Sequence, residues 1–219
     1  MNILKKNWWR SLFGLYVLVY LPWFFYLENK ITLDYPGIHI INGPIDDKIP
    51  FIEIFIIPYL LWFLYVVLSC VYMFIYATNK EFIQFALSLI IGMSLCMVIC
   101  MVYPNGLTLR PEYISDSIFG KLIKGLYATD TSTNVLPSIH VYNSLAVHIA
   151  LAKCQALKGS KKKEVVKVAS LILCILICLS TIFLKQHSVY DVIAGCLLMC
   201  VMYIFIYAAD FHRLYNKMC

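Results

Sequence analysis

Three short polar stretches interrupt an otherwise apolar chain: Leu109-Arg110-Pro111-Glu112, Leu136-Pro137-Ser138-Ile139-His140 and Lys185-Gln186-His187-Ser188-Val189-Tyr190-Asp191. His187 and Asp191 stand four residues apart, which places them on one face of a helix and within contact. An aspartate that accepts the Nδ1 proton leaves Nε2 as an exposed lone pair, a nucleophile able to form a covalent phosphoryl intermediate. The same spacing also describes a helix-end packing pair. His140 would sit in the first turn of another helix, where a protonated imidazole can donate to a departing lipid alkoxide or phosphate. The alternative for His140 is a helix-end histidine bonded to a loop.

Anion binding has candidates beside each histidine. Pro137 suits a first helical turn, because its missing N–H is not needed there. The Ser138 hydroxyl and the backbone donors at Ser138 and Ile139 would then form an anion cradle at a positive helix end; plain N-capping by Ser138 competes with that reading. Arg110 presents a planar fork of donors suited to two phosphate oxygens, against the alternative of a solvated loop arginine. His148 points to another side of its helix and reads as structural. Glu53 and the Asp46/Asp47 pair read as ordinary interfacial groups, with the holding of a loop or head group as the alternative.

These residues need a scaffold, and composition says which. The chain has 219 residues, 62% hydrophobic and 14% charged, far from the averages of soluble domains. A spanning helix takes about 20 apolar residues, and the candidate spans are approximately 11–27, 51–77, 82–103, 135–152, 165–184 and 188–208. The expected fold is therefore all-α, a six-helix integral membrane bundle forming one domain over residues 1–219. The segment 104–134 is long for a connector. Within it Tyr113, Ile114, Ile118, Phe119, Leu122 and Ile123 predict a short amphipathic helix lying on the interface, either a lid or a connector resting on the bundle.

Of the 18 Lys and Arg residues, 12 fall at the two termini, at Lys80 and in residues 153–167, and such segments stay cytoplasmic. Both termini are thus expected in the cytoplasm of a multi-pass cell-membrane protein. All three polar stretches then lie on the extracytoplasmic side. The net charge of +6 belongs to this topology and not to a nucleic-acid surface, which would interleave basic and aromatic residues. Cys96/Cys100, Cys174/Cys178 and Cys196/Cys200 are four apart within apolar runs and read as reduced packing residues. No Cys-x-x-Cys or clustered histidine accompanies them, so no metal site is expected.

In order along the chain, Arg110-Pro111, Pro137-Ser138-x-His140 and His187-x-x-x-Asp191 resemble the three signature segments of the type 2 phosphatidic acid phosphatase (PAP2) superfamily of membrane lipid phosphatases and phosphotransferases. The resemblance implies a metal-independent, cofactor-free reaction on a lipid phosphate within the bilayer. It implies His187 as nucleophile, Asp191 as its orienting partner and His140 as general acid. It also implies phosphate binding by Arg110, Ser138 and the Ile139 N–H. Three positions depart from the family pattern: Tyr103 stands for a lysine, Ile139 for a glycine and Thr181 for an arginine. Lys185, four residues after Thr181, is expected to supply part of the lost positive charge at the phosphate. Hydrolysis of a lipid phosphate or pyrophosphate monoester is the leading expectation, with a polyprenyl pyrophosphate, phosphatidate or phosphatidylglycerophosphate as substrate class. The alternatives are a phosphotransferase similar to sphingomyelin or inositol phosphorylceramide synthases and a non-catalytic relative. The oligomeric state is not readable.

Overall fold

A computed structural model describes residues 7–159 and 161–208, without the side chains of Lys162 and Ala208. Lys5, Lys6, Arg213 and Lys217, which contribute to the charge-based orientation, lie outside the described residues.

The first helix, α1 (Trp8–Lys30), is 3₁₀-helical over Trp8–Tyr16 and α-helical from Val17. A loop bearing strand β1 (His39–Ile40) and the single-turn helix α2 (Pro44–Asp47) leads to α3 (Glu53–Tyr76). Thr78 and Glu81 cap the start of α4 (Asn79–Val102) reciprocally: the Glu81 carboxylate accepts the Thr78 N–H at 2.8 Å, and the Thr78 hydroxyl accepts the Glu81 N–H at 3.3 Å. Strand β2 (Asn105–Gly106) and helix α5 (Ile118–Thr129) follow. The chain then runs through α6 (Ile139–Lys153), α7 (Lys161–Phe183) and α8 (Val189–Tyr203), the last continued by a π-helical turn, Ile204–Ala208.

Five of these helices, α1, α3, α4, α7 and α8 with its continuation, are long and apolar enough to cross a membrane. The molecule is an all-α membrane protein whose outer surface carries exposed side chains such as Leu18, Val67, Val168 and Leu197, where a soluble bundle would place charge. The sixth long helix is the exception. Expected to span from residue 135, α6 begins only at Ile139 and has 15 residues, about 22 Å of rise. The cause is local, since residues 135 and 136 donate their N–H groups to Asn105 Oδ1 at 2.9 Å each and stay outside the helix. Compensation comes from position: α6 lies at the centre, packed against α3, α4, α7 and α8. Gly92 of α4 makes this possible, because a Cβ there would sit 2.0 Å from the Tyr142 ring.

The loops at the end of the bundle where α6 and α8 begin are tied into one layer. Strands β1 and β2 pair in parallel, and Gly106 bridges to Thr133. Glu28 at the end of α1 accepts from Thr131 and Asn134. Glu53 at the start of α3 accepts from the Ser115 N–H and from the Ser115 and Ser117 hydroxyls; it holds a loop, where an ordinary interfacial role was expected. The amphipathic helix appears as α5, capped by Ser117, with Ile123 buried and Ile118 exposed. Ile123 packs in a cluster with Ile56, Tyr59 and Leu184.

Candidate active site

The third polar stretch is shaped by the end of α7. Lys185 adopts the left-handed conformation at φ 54°. Around it the Lys185 N–H donates to Ile182 O and the Gln186 N–H to Thr181 O, each at 3.0 Å. This pair of bonds closes a helix in a Schellman turn, where glycine is the usual residue. The Thr181 carbonyl accepts a second bond, from the His187 N–H at 3.0 Å. Thr181 is fully buried, so the position where the family pattern has arginine here fixes the backbone of His187.

From that turn α8 starts at once. The Ser188 hydroxyl accepts the Tyr190 N–H at 3.1 Å while Asp191 Oδ2 accepts the Ser188 N–H at 2.8 Å, a capping arrangement that pins the Asp191 carboxylate. The same Oδ2 lies 3.3 Å from His187 Nδ1. On the far side of the ring, His187 Nε2 lies 3.3 Å from His140 Nδ1. The expected juxtaposition of the three residues is therefore present, as a line Asp191–His187–His140 buried within the bundle. The His140 ring rests between Tyr59 and Trp62 of α3, at centroid distances of 4.6 and 4.4 Å.

Ser138 is the N-cap of α6, its hydroxyl accepting the Val141 N–H at 3.4 Å, and its own N–H donates to Asp191 O at 3.1 Å. The expectation of a free Ser138 amide is thereby corrected, since that donor is spent joining α6 to α8. Pro137 also lies one residue outside the cap instead of in the first turn. The Ile139 and His140 amides belong to the unpaired first turn of α6 and remain as donors. Close approach of the two helices depends on Gly195, where a Cβ would meet the Ser138 carbonyl at 2.9 Å.

Arg110 is half-buried beside this line. Its Nη1 donates to Tyr127 O at 3.0 Å, and its Nη2 donates to Asp130 O and, at 2.8 Å, to Gln186 Oε1. The guanidinium stacks over the Tyr127 ring at 4.2 Å. Burial pulls its pKa below the ordinary arginine value, opposed by Tyr127 and Asp130. Gln186, the residue before His187, thus ties Arg110 to the segment that carries the histidine.

Lys185 goes elsewhere. Its ammonium donates to the carbonyls of Asp46 and Ile49, each at 2.6 Å, and burial lowers its pKa against the raising effect of Asp46 and Asp47. This corrects the expectation that Lys185 supplies charge at the phosphate: the left-handed turn ends with the side chain anchored in the loop before α3. Tyr103, at the family's lysine position, stacks on His39 at 4.0 Å. His148, read as structural, lies 3.2 Å from the Ser170 hydroxyl.

Sequence reasoning passed over Tyr59 and Trp62, gave Gln186 no role and read Asp46 as an ordinary interfacial group. Tyr59 and Trp62 lie within an unbroken apolar run and give no signal of their own. Asp46 is buried against the start of α8, with Oδ2 accepting from the Ser188 hydroxyl at 2.7 Å and Oδ1 from the Val189 N–H at 2.9 Å. Nothing in the sequence pairs Ser188 and Val189 with residue 46.

A buried aspartate–histidine–histidine line thus joins the starts of two membrane helices, with an arginine at its side. Residues 82–215 match the PAP2 superfamily, and the chain belongs to that superfamily. Membership carries a lipid-related function of phosphatase or phosphotransferase type. No curated protein and no solved structure matches the chain.

Proposed function

We propose that the protein is a membrane lipid phosphatase that hydrolyses a lipid phosphate or pyrophosphate monoester through a phosphohistidine at His187. The observation that carries this reading is the 3.3 Å approach of His187 Nε2 to His140 Nδ1, with Asp191 Oδ2 3.3 Å from the opposite nitrogen. With Asp191 accepting the Nδ1 proton, Nε2 keeps its lone pair and is the nucleophilic atom. Nε2 attacks phosphorus, the bond from phosphorus to the leaving oxygen breaks, and His140 gives that oxygen its proton. Water then attacks the phosphohistidine, His140 takes up the water proton, and inorganic phosphate leaves with His187 restored.

A phosphoryl group does not fit within a 3.3 Å gap, so substrate entry moves the His140 ring along the faces of Tyr59 and Trp62. Arg110 is anchored by three acceptors, which leaves Nε and one Nη1 hydrogen for the phosphate. The Ile139 amide and the Ser138 hydroxyl proton complete the donors. No step requires a metal ion, because the developing charge is met by the arginine and helix-end donors. The lipid tail lies in an apolar groove of about 340 Å³ between α3 and α7, lined by Leu61, Leu64, Leu68, Ala169 and Leu173. This groove begins at the level of Trp62 and continues about 16 Å along α3. The active site faces the extracytoplasmic side, with both termini in the cytoplasm and the whole chain forming one domain.

Phosphate release from a panel of polyprenyl pyrophosphate, phosphatidate and phosphatidylglycerophosphate by purified protein in detergent, with and without diacylglycerol or ceramide, tests the reading. Release without acceptor supports hydrolysis. Turnover only with an acceptor alcohol assigns a phosphotransferase, and no turnover under either condition removes the catalytic reading.

A further inference from the structure

We propose that Asp46 is a positioning residue for the nucleophile, through which the loop before α3 fixes the segment that carries His187. The inference rests on His187 being the nucleophile, and it reaches a part of the chain outside the region matching the superfamily.

Asp46 is 1% exposed, and each of its acceptors is spent. Oδ2 takes the Ser188 hydroxyl at 2.7 Å and the Gly43 N–H at 2.9 Å, Oδ1 takes the Val189 N–H at 2.9 Å, and the main-chain carbonyl takes the Lys185 ammonium at 2.6 Å. Lys185, Ser188 and Val189 bracket His187 on both sides. A carboxylate at the start of α8 also lies at the positive end of a 15-residue helix, where it is stabilised by the dipole and by the otherwise unpaired amides. Removing the side chain would leave the Ser188 hydroxyl and Val189 N–H without these acceptors in a buried place, a costly state that the segment relieves by shifting. Because Ser188 N–H and His187 Nδ1 share Asp191 Oδ2, such a shift acts on the direction of the imidazole. Misplacement by about 1 Å costs about 100-fold in rate. Asp46 touches neither histidine, so its effect belongs in kcat.

The test uses the full chain in detergent and reads phosphate release from phosphatidate, early-time acid-labile phosphoenzyme, orthovanadate binding and the melting temperature. Asp46→Ala should lower kcat about 10- to 100-fold and leave KM within about twofold. Phosphoenzyme formation should slow in step with kcat, and vanadate binding should weaken. Asp46→Asn, which retains an acceptor, should recover part of the loss. Asp46→Ala combined with Ser188→Ala should be little worse than Asp46→Ala alone, because the two share one network, and exposed Asp47 changed to Ala should match the wild type. If Asp46→Ala does not fold, Asp46→Asn and Ser188→Ala carry the same comparison. A folded Asp46→Ala with wild-type kcat and vanadate binding overturns the inference while the functional reading stands. A wild type that neither forms phosphoenzyme nor binds vanadate removes the functional reading, and this inference with it.

Discussion

His140 Nδ1 and His187 Nε2 lie 3.3 Å apart although 47 residues separate them in sequence, and three features produce that approach. Ser138 ties the start of α6 to the Asp191 carbonyl, Gly195 lets α8 come close, and the Thr181 carbonyl holds the His187 backbone. Each can be perturbed separately.

Asp191→Asn should preserve the volume at the cap and lose the charge that fixes the imidazole tautomer. Oδ2 now serves both His187 Nδ1 and the Ser188 N–H, and an amide cannot provide a carboxylate oxygen to both from either rotamer with the same strength. We expect kcat to fall by about 10³- to 10⁴-fold, as for an aspartate behind a catalytic histidine in a triad, with KM nearly unchanged. Steady-state kinetics on a folded variant check this.

Gly195→Ala should separate the two helices. The added Cβ would meet the Ser138 carbonyl at 2.9 Å and Val141 Cβ at 3.2 Å, whereas Gly125 has nothing within 4 Å. Overpacking of this kind costs about 1 to 3 kcal/mol, and a displaced α8 carries His187 away from His140. Thermal denaturation and turnover should both fall for Gly195→Ala and stay at the wild-type level for Gly125→Ala.

Much of this site was legible beforehand, for a physical reason. A separation of four residues is local, so His187 and Asp191 meet at the start of α8, although His187 lies just before the N-cap Ser188 and not on the helix face that the spacing predicted. The amphipathic run at 113–123 was local too, but α5 starts only at Ile118, with residues 113 and 114 in the preceding loop. Contacts between distant segments carry no such local signal. Nothing periodic links Asp46 to Ser188 or Arg110 to the carbonyls of Tyr127 and Asp130, and the short α6 follows from Asn105 binding the amides of residues 135 and 136 outside the helix. Lys185 misled for a related reason: helical spacing from Thr181 placed it at the site, but a left-handed residue ends the helix one step earlier and sends the side chain into the loop.

Lys185 therefore predicts an ordering of stabilities. Alanine loses both loop hydrogen bonds and keeps the left-handed strain of φ 54°; glycine loses the bonds but relieves about 1 kcal/mol of that strain. Melting temperatures should fall in the order wild type, Lys185→Gly, Lys185→Ala. An alanine variant at least as stable as the glycine variant would contradict the turn geometry.

Arg110→Lys should fail as a conservative change. One ammonium cannot reproduce the planar fork that reaches the Tyr127 and Asp130 carbonyls and Gln186 Oε1. A loss of about 100- to 1,000-fold in kcat/KM is expected from removing an oriented cation at the phosphate, with Arg110→Lys close to Arg110→Ala. Substrate titrations of the three proteins provide the comparison.

The central claim is covalent catalysis at His187, and rapid quenching with ³²P-labelled lipid phosphate addresses it most directly. Wild-type protein should accumulate label that is acid-labile and stable to base, mapping to the peptide containing His187; His187→Ala should accumulate none. His140→Ala should still form it, more slowly and with greater dependence on the leaving group. Undiminished phosphoenzyme in His187→Ala would contradict the account and place the nucleophile elsewhere.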